Sequence, residues 1–211
     1  MDNNIRAVME MRADIAVQAL RKNRFEAHYL PTKAELLPRI AAMLLPGNTC
    51  SIGGSVTLDE CGVRAFLEKG GDFTYYDRYA AGADVSDIYH KALCCDVYLT
   101  GTNAVTLDGA LYNMDGRANR VAAICYGPKK VIVVAGINKI VSDIPAAQER
   151  LRSIAAPANA LRLGLKTPCA ATGSCKDCAS PERMCSQEVI TGWQREEQRI
   201  CVFIIGEECG Y

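Results

Sequence analysis

Residues 96–140, DVYLTGTNAVTLDGALYNMDGRANRVAAICYGPKKVIVVAGINKI, decide the fold class, because they hold two apolar runs around a polar, glycine-rich loop. The first run, residues 97–99, is stopped by Gly101, and the second, residues 131–135, is stopped by Gly136. Short apolar runs bounded by glycine are typical of buried strands. Because ligands bind where the strands of an open parallel sheet end, the stretch also predicts the position of a pocket.

The same pattern continues on both sides of this stretch. Further strands are predicted at residues 50–52, 73–76 and 200–205, and helices at residues 5–23, 36–44, 85–93, 119–126 and from Asp143 onward. Strands that alternate with helices predict an α/β, Rossmann-like fold, with a mainly parallel sheet and helices on both faces. The length fits a single domain over residues 1–211. Its first 25 residues are predicted to form an amphipathic helix that also makes a homodimer plausible.

Charge and hydropathy exclude two classes of partner. The 24 basic and 24 acidic residues are interspersed and sum to a net charge of zero, so we expect no nucleic-acid partner and no membrane-surface partner. The first twenty residues are charged throughout, and no apolar run reaches the length of a membrane span. We therefore expect a cytoplasmic protein.

Four of the eleven cysteines crowd into residues 167–186, a loop placed before the last predicted strand. Cys169, Cys175, Cys178 and Cys185 are spaced C-x5-C-x2-C-x6-C. Four thiolates within so short a loop can bind one zinc ion or one [4Fe–4S] cluster. The spacing does not choose between these, and incidental thiols or two disulfides remain the alternative.

Several motifs resemble one known family. They are Thr100-Gly101-Thr102-Asn103, residues 107–113 (LDGALYN), residues 127–130 (GPKK) before the second strand, and residues 51–57 (SIGGSVT) upstream. Together these resemble the LUD (lactate utilisation) domain, which is grouped with CoA transferases and sugar-phosphate isomerases. The resemblance covers nearly the whole chain.

The resemblance implies a fold like that of CoA transferases and ribose-5-phosphate isomerase. It also implies a role in lactate or organic-acid oxidation beside iron–sulfur oxidoreductase partner subunits. For that reason a cluster is slightly favoured over zinc at the cysteine loop, where it would serve electron transfer, whereas a zinc ion would be structural.

Two loops are predicted to bind a small phosphorylated or carboxylate ligand. In the first, a Gly-Gly turn leads into a helix, where backbone N–H groups and hydroxyls favour an anion; an ordinary strand-to-helix turn is the alternative. In the second, polar side chains crowd the strand ends. The predicted ligand-binding residues are Gly53, Gly54, Ser55, Thr57, Thr102, Asn103, Asn113, Arg117 and Lys139.

Asp108 is the predicted general base, since a carboxylate near an arginine can abstract a proton next to a carbonyl. It supports an alternative function as a sugar-phosphate isomerase or acyl-transfer enzyme. A second alternative is a ligand-binding or assembly protein without catalysis. It is supported by Asn103, which stands where resembling isomerases carry an aspartate, and by the absence of a glutamate nucleophile near Thr100.

Overall fold

The computed structural model describes residues 2–211 and contains two sheets. The helices are α1 (Asn3–Lys22), α2 (Leu36–Met43), α3 (Val56–Glu60), α4 (Val63–Glu68), α5 (Val85–Leu93), α6 (Asn119–Cys125), α7 (Ile144–Arg150), α8 (Ala156–Arg162) and α9 (Pro168–Thr172). The strands are β1 (Glu26–Leu30), β2 (Thr49–Ile52), β3 (Thr74–Tyr76), β4 (Val97–Gly101), β5 (Ala104–Thr106), β6 (Leu111–Asp115), β7 (Lys130–Gly136), β8 (Ile140–Val141), β9 (Gln187–Thr191) and β10 (Ile200–Ile205). No helix within these residues is both long and apolar enough to cross a membrane.

The main sheet has six strands, all parallel, in the order β1-β10-β7-β4-β2-β3. Its central strands are buried along their whole length, which explains why they read as continuous apolar runs. Along β7, Val131, Val133 and Ala135 pack on one face with α1, α5 and α6. Ile132 and Val134 pack on the other face with α2, α3 and α4. The predicted α/β fold with helices on both faces of a parallel sheet is thereby confirmed.

The order of the strands places a crevice between β2 and β4. After β2 the chain crosses to β3 on one side, whereas after β4 it passes through the second sheet to β7 on the other side. The loops that leave these neighbouring strands therefore diverge. At such a switch point, the carboxyl ends of the strands border an open space.

The second sheet was not predicted. It has four strands in the order β8-β5-β6-β9, with an antiparallel β5-β6 hairpin. Strand β9 pairs with β6, with Gln187 opposite Asp115. Along the chain, β9 lies between the cysteine loop and β10. A third apolar cluster packs this sheet against α7 and α8, around Tyr112 and Leu151.

The helical segment that covers this sheet changes its winding midway. Between α7 and α8 lies a π-helical turn, Leu151–Ala155. Such turns are rare and are frequent at functional sites. Pro157 has no N–H to donate to the carbonyl of Arg152 in this wider turn. That carbonyl instead accepts the N–H of Cys175 at 3.2 Å, which ties the cysteine loop to the helix.

Helix α1 is amphipathic, with one buried and one exposed face. Ala13, Ala16, Val17 and Leu20 are buried against the main sheet. The apolar side chains of Ile5, Val8, Met11 and Ile15 form an exposed stripe. The small side chains face inward because they let the helix approach the sheet closely. A homodimer through the exposed stripe stays a prediction.

We expect Gly109→Ala to lower the free energy of unfolding by at least about 2 kcal/mol. Gly109 has φ +84°, and a Cβ there would lie 2.5 Å from the backbone carbon of Ala19 in α1. Gly82→Ala is the matched control, because Gly82 has φ +75° but no atom within 4 Å of the added Cβ. Urea unfolding should show a clearly larger loss for Gly109→Ala. Equal losses would mean that α1 does not pack against this turn.

Candidate functional site

A cavity of about 270 Å³ opens at the carboxyl ends of β2, β3, β4 and β7. It lies at the switch point between β2 and β4, and α5, α6, the π turn and α8 complete its wall. The lining residues are Gly54, Ser55, Val56, Thr57, Arg78, Tyr89, Gly101, Thr102, Asn103, Met114, Asp115, Gly116, Arg117, Asn119, Arg120, Lys139, Leu151, Ala155, Ala156, Asn159, Arg162, Leu163, Met184, Cys185 and Tyr211.

The wall of this strand-end cavity is strongly basic. Its ionisable side chains include five basic residues, Arg78, Arg117, Arg120, Lys139 and Arg162, and a single carboxylate, Asp115. That carboxylate is already paired, since its Oδ1 lies 2.6 Å from Arg120 Nη2. Within residues 2–211, the other four basic groups have no carboxylate within 4.0 Å. A neutral chain thus concentrates positive charge where a ligand would sit.

Lys139 forms part of the cavity floor and is only 4% exposed. It belongs to the short 3₁₀ turn Ile137–Lys139 that follows β7. Its Nζ donates to Thr57 Oγ1 at 2.8 Å and to the carbonyl of Thr102 at 3.2 Å. Burial first, and then the charges of Arg150 and Arg120, lower the pKa of Lys139 from its usual 10.5 to about 7.

Arg120 holds the loops of the cavity together. Its guanidinium donates to Asp115 Oδ1 at 2.9 Å, Asn113 Oδ1 at 2.6 Å and the carbonyl of Gly101 at 3.1 Å. Asp115 Oδ2 also accepts the N–H of Val121 at 2.9 Å, in the first turn of α6. With most of its donors occupied, Arg120 positions the wall, whereas within residues 2–211 the guanidinium groups of Arg78 and Arg117 donate no hydrogen bond.

Seven of the nine predicted ligand-binding residues line the cavity. They are Gly54, Ser55, Thr57, Thr102, Asn103, Arg117 and Lys139. Gly53 does not line it, because it is buried at the end of β2, where a Cβ would meet Tyr98 Oη at 2.9 Å. Asn113 is buried behind the wall, where it supports Arg120.

A second, smaller cavity of about 30 Å³ is lined by all four cysteines of the loop, Cys169, Cys175, Cys178 and Cys185. It shares Ala156, Met184 and Cys185 with the strand-end cavity. The two cavities therefore have a common wall. Burial first, and then the other three cysteines, raise the pKa of the Cys185 thiol, so a metal bound there must displace protons.

The spacing of the four sulfur atoms bears on which metal group fits. In a tetrahedral zinc site with Zn–S bonds of about 2.3 Å, the sulfur atoms lie about 3.8 Å apart. Within residues 2–211, the only trio of ligand atoms within 4.8 Å of one another is that of Glu26, His28 and Cys201, on β1 and β10. No three of the four loop sulfurs therefore lie within that distance of one another in the described residues.

The loop makes several polar contacts of its own. Arg183 donates to the carbonyls of Cys178 at 2.6 Å and Cys185 at 2.8 Å, and to Asp177 Oδ1 at 3.0 Å. The N–H of Asp177 points to the sulfur of Cys175 at 3.4 Å. Hydrogen bonds to sulfur are one of the ways in which proteins tune iron–sulfur clusters. The loop thus offers four thiols around one cavity, a ligand set that suits a [4Fe–4S] cluster or a zinc ion.

Comparison with known proteins identifies the family. The model of the LUD domain matches residues 13–205 of this sequence. The chain belongs to the LUD domain family. It is accordingly a protein of the lactate-utilisation type in general terms. No protein with a curated description matches this LUD-domain protein.

Solved structures agree with the fold. A DUF162 family protein from Deinococcus radiodurans is 17% identical, with a TM-score of 0.52, and the match covers 95% of this chain and 97% of that one. This similarity shows the fold alone. The eIF2B delta protein from Chaetomium thermophilum is 19% identical with a TM-score of 0.35, over 52% of this chain and 48% of that one. This second similarity is too distant to support a conclusion.

Asp108 of the LUD domain is not brought to the strand-end cavity. It is exposed in the β5–β6 turn, where its carboxylate accepts the hydroxyl of Thr106. Its backbone carbonyl accepts from Asn23 at the end of α1. The prediction placed it near the cavity because it lies between two strand-end motifs, but the hairpin carries it to the side of α1. Asp108 is thus a turn residue here.

Several cavity residues were missed by the sequence analysis. Arg78 lies in the loop just after β3, as the predicted ligand-binding residues lie in loops after other strands. A search of the loop after every strand would therefore have found it. Tyr89 on α5, Asn159 and Arg162 on α8, and Tyr211 carry no such signal. They reach the cavity only through the packing of distant segments, such as the hydrogen bond from Arg162 Nε to Tyr211 Oη at 2.7 Å.

Proposed function

We propose that this LUD-domain protein takes part in the oxidation of lactate or a related organic acid. In this proposal it binds a small carboxylate or phosphorylated anion in the strand-end cavity and a [4Fe–4S] cluster on Cys169, Cys175, Cys178 and Cys185. The observation that carries the proposal is the wall shared by the two cavities, to which Cys185 belongs. A ligand in the larger cavity would lie beside the cluster.

The charge of the cavity supports the anion. In the described part of the chain, Arg78, Arg117 and Arg162 have no carboxylate partner, and they line the cavity together with Ser55 and Asn103. Guanidinium groups suit carboxylates and phosphates because they donate two parallel hydrogen bonds. Family membership favours a carboxylate, whereas the number of basic groups also suits a phosphate.

Four thiols around one cavity, in a chain of the LUD domain family, favour a cluster over zinc. Each thiolate of a [4Fe–4S] cluster binds a different iron atom, so the four sulfurs surround a group larger than one ion. A bound cluster would supply one-electron transfer. The loop lies at the surface, with Lys176, Asp177 and Glu182 exposed, so an iron–sulfur partner subunit would be able to approach it.

Metal analysis after anaerobic purification tests the cysteine site. We expect about four iron and four sulfide per chain, with broad visible absorption. The double variant Cys175→Ser/Cys178→Ser should lose both. Its control is Cys94→Ser/Cys125→Ser, which changes two exposed cysteines outside the loop and should retain both. About one zinc per chain, or no metal at all, would contradict the cluster.

Calorimetric titration tests the anion site separately. Lactate and inorganic phosphate are added individually to the purified protein, and at least one of them should bind. Arg117→Gln should weaken that binding by about tenfold or more, since a charge-assisted hydrogen bond contributes about 1.5–3 kcal/mol. If neither anion binds, the strand-end cavity is not the anion site.

A further inference from the structure

A buried lysine without a counterion is the least explained feature of the strand-end cavity. Lys139 is 4% exposed, and within residues 2–211 no carboxylate reaches its Nζ. The charges that affect its pKa most, on Arg150 and Arg120, are positive and disfavour an ammonium group, and they outweigh the opposite effects of Cys209 and Glu60. Most buried lysines are paired with an acid. This one has no such partner, which favours the neutral amine.

The hydrogen bonds of Lys139 suit a neutral amine. Its two acceptors, Thr57 Oγ1 and the carbonyl of Thr102, match the two N–H groups of an –NH₂ group. Thr57 in turn donates its hydroxyl to the carbonyl of Cys209 at 3.2 Å, so its oxygen is oriented to accept from Lys139. The lone pair of the nitrogen is then left for another atom. Desolvated lysines next to cationic groups are a known type of nucleophile.

We propose that Lys139 forms a reversible imine with the carbonyl carbon of a 2-oxo acid bound in the strand-end cavity. This inference rests on the proposed function, because a 2-oxo acid is what the oxidation of a 2-hydroxy acid yields. The basic groups of Arg78 and Arg117 would hold the carboxylate while Lys139 reaches the adjacent carbonyl. The cavity is then a site for the oxidised acid as well as the reduced one.

The step needs no oxidant or reductant. The lone pair of Nζ attacks the carbonyl carbon, and a proton passes from nitrogen to the former carbonyl oxygen, which gives a carbinolamine. Loss of that oxygen as water forms the C=N bond. An amine and a ketone thus become an imine and one water molecule, and addition of water reverses the step.

Reductive trapping tests this proposal. The purified protein is incubated with pyruvate and sodium cyanoborohydride, and the intact mass is measured. We expect one adduct per chain, with a mass gain equal to pyruvic acid minus one oxygen atom. Peptide mapping should place it on Lys139, at least about tenfold above Lys129, whose exposed amine is held by Asp96. Lactate, which has no carbonyl group, should give no adduct.

Two variants and one binding measurement separate the outcomes. Lys139→Arg should abolish the adduct, whereas Lys129→Arg should leave it unchanged. Mapping on the unaltered protein decides the question even if Lys139→Arg fails to fold. If calorimetry shows that pyruvate binds but no adduct forms on Lys139, the imine is wrong and the anion site stands. If pyruvate, lactate and phosphate all fail to bind, the proposed function itself is wrong at this site.

Discussion

Replacing Arg120 by leucine is expected to lower the free energy of unfolding by about 3–5 kcal/mol. The side chains of Arg120 and Asp115 are only 12% and 8% exposed, so the substitution leaves a carboxylate buried without its charge partner. It also removes the donors to Asn113 Oδ1 and to the carbonyl of Gly101. Urea unfolding followed by circular dichroism measures the loss.

Two further variants make this prediction specific. Arg117→Gln changes another arginine of the same cavity, but Arg117 is exposed and makes no ion pair in the described chain, so its effect should stay within about 0.5 kcal/mol. The double variant Arg120→Leu/Asp115→Asn removes both charges and should recover part of the loss. A stability loss of Arg120→Leu no larger than that of Arg117→Gln would show that the ion pair does not hold the cavity wall.

Replacing Lys139 by methionine is expected to remove a pH dependence of several kcal/mol. The pKa of Lys139 is about 7 in the folded protein and 10.5 when unperturbed, so in this range the unfolded chain binds more protons. The protein should therefore gain stability as the pH rises from 7 to 10.5, relative to the methionine variant. A tenfold change in a proton-binding constant corresponds to about 1.4 kcal/mol, and relaxation of the protein around the charge reduces the total to about 2–4 kcal/mol.

The direction of this pH dependence follows from the charge of Lys139 at high and at low pH. Above pH 10.5 the amine is neutral in both states and no charge is buried, whereas below pH 7 it is charged in both and the folded state carries the full cost of desolvating the charge. Tyrosines and cysteines that titrate in the same range contribute equally to the free energy of unfolding of the protein and of the variant. Their contributions cancel when one free energy is subtracted from the other. Chemical denaturation of both proteins at several pH values in this range measures the difference in their free energies of unfolding.

Lys129→Met provides the opposite case. The side chain of Lys129 is 83% exposed, and the carboxylate of Asp96 raises its pKa. The stability difference between the protein and Lys129→Met should change little with pH, and it should fall rather than rise as the pH increases. If the stability difference between the protein and Lys139→Met did not change with pH either, the folded protein would hold a charged Lys139 as readily as the unfolded chain does. The argument for a neutral amine would then fail.

The main sheet was predictable because each of its central strands is decided by local composition. Runs such as residues 131–135 and 200–205 are apolar throughout, since both faces of β7 and β10 are buried. Strand β1 was missed because Glu26 and His28 make it look polar. Its hydrogen bonds come from pairing with β10, 175 positions along the chain for the pair Glu26 and Cys201. A pattern of neighbouring residues contains no information about a pairing over that separation.

The second sheet was missed for a related reason. Its strands have two to five residues and carry buried polar groups, such as Asn113 and Asp115, which composition assigns to loops. These groups are buried because Arg120 satisfies them. The position of Asp108 was not foreseen for the same reason, since the unrecognised hairpin turns it away from the cavity.

The sequence by itself determined the α/β class, the positions of the central strands along the chain, the loops at their carboxyl ends and the grouping of four cysteines. These features depend on neighbours within a few positions, where hydrophobic periodicity and glycine act directly. Only the tertiary structure decided that Lys139 is buried between Thr57 and Thr102 without an acid, and that Cys185 borders both cavities. Burial, desolvation and charge pairing depend on which distant segments meet in space, and no local pattern records that.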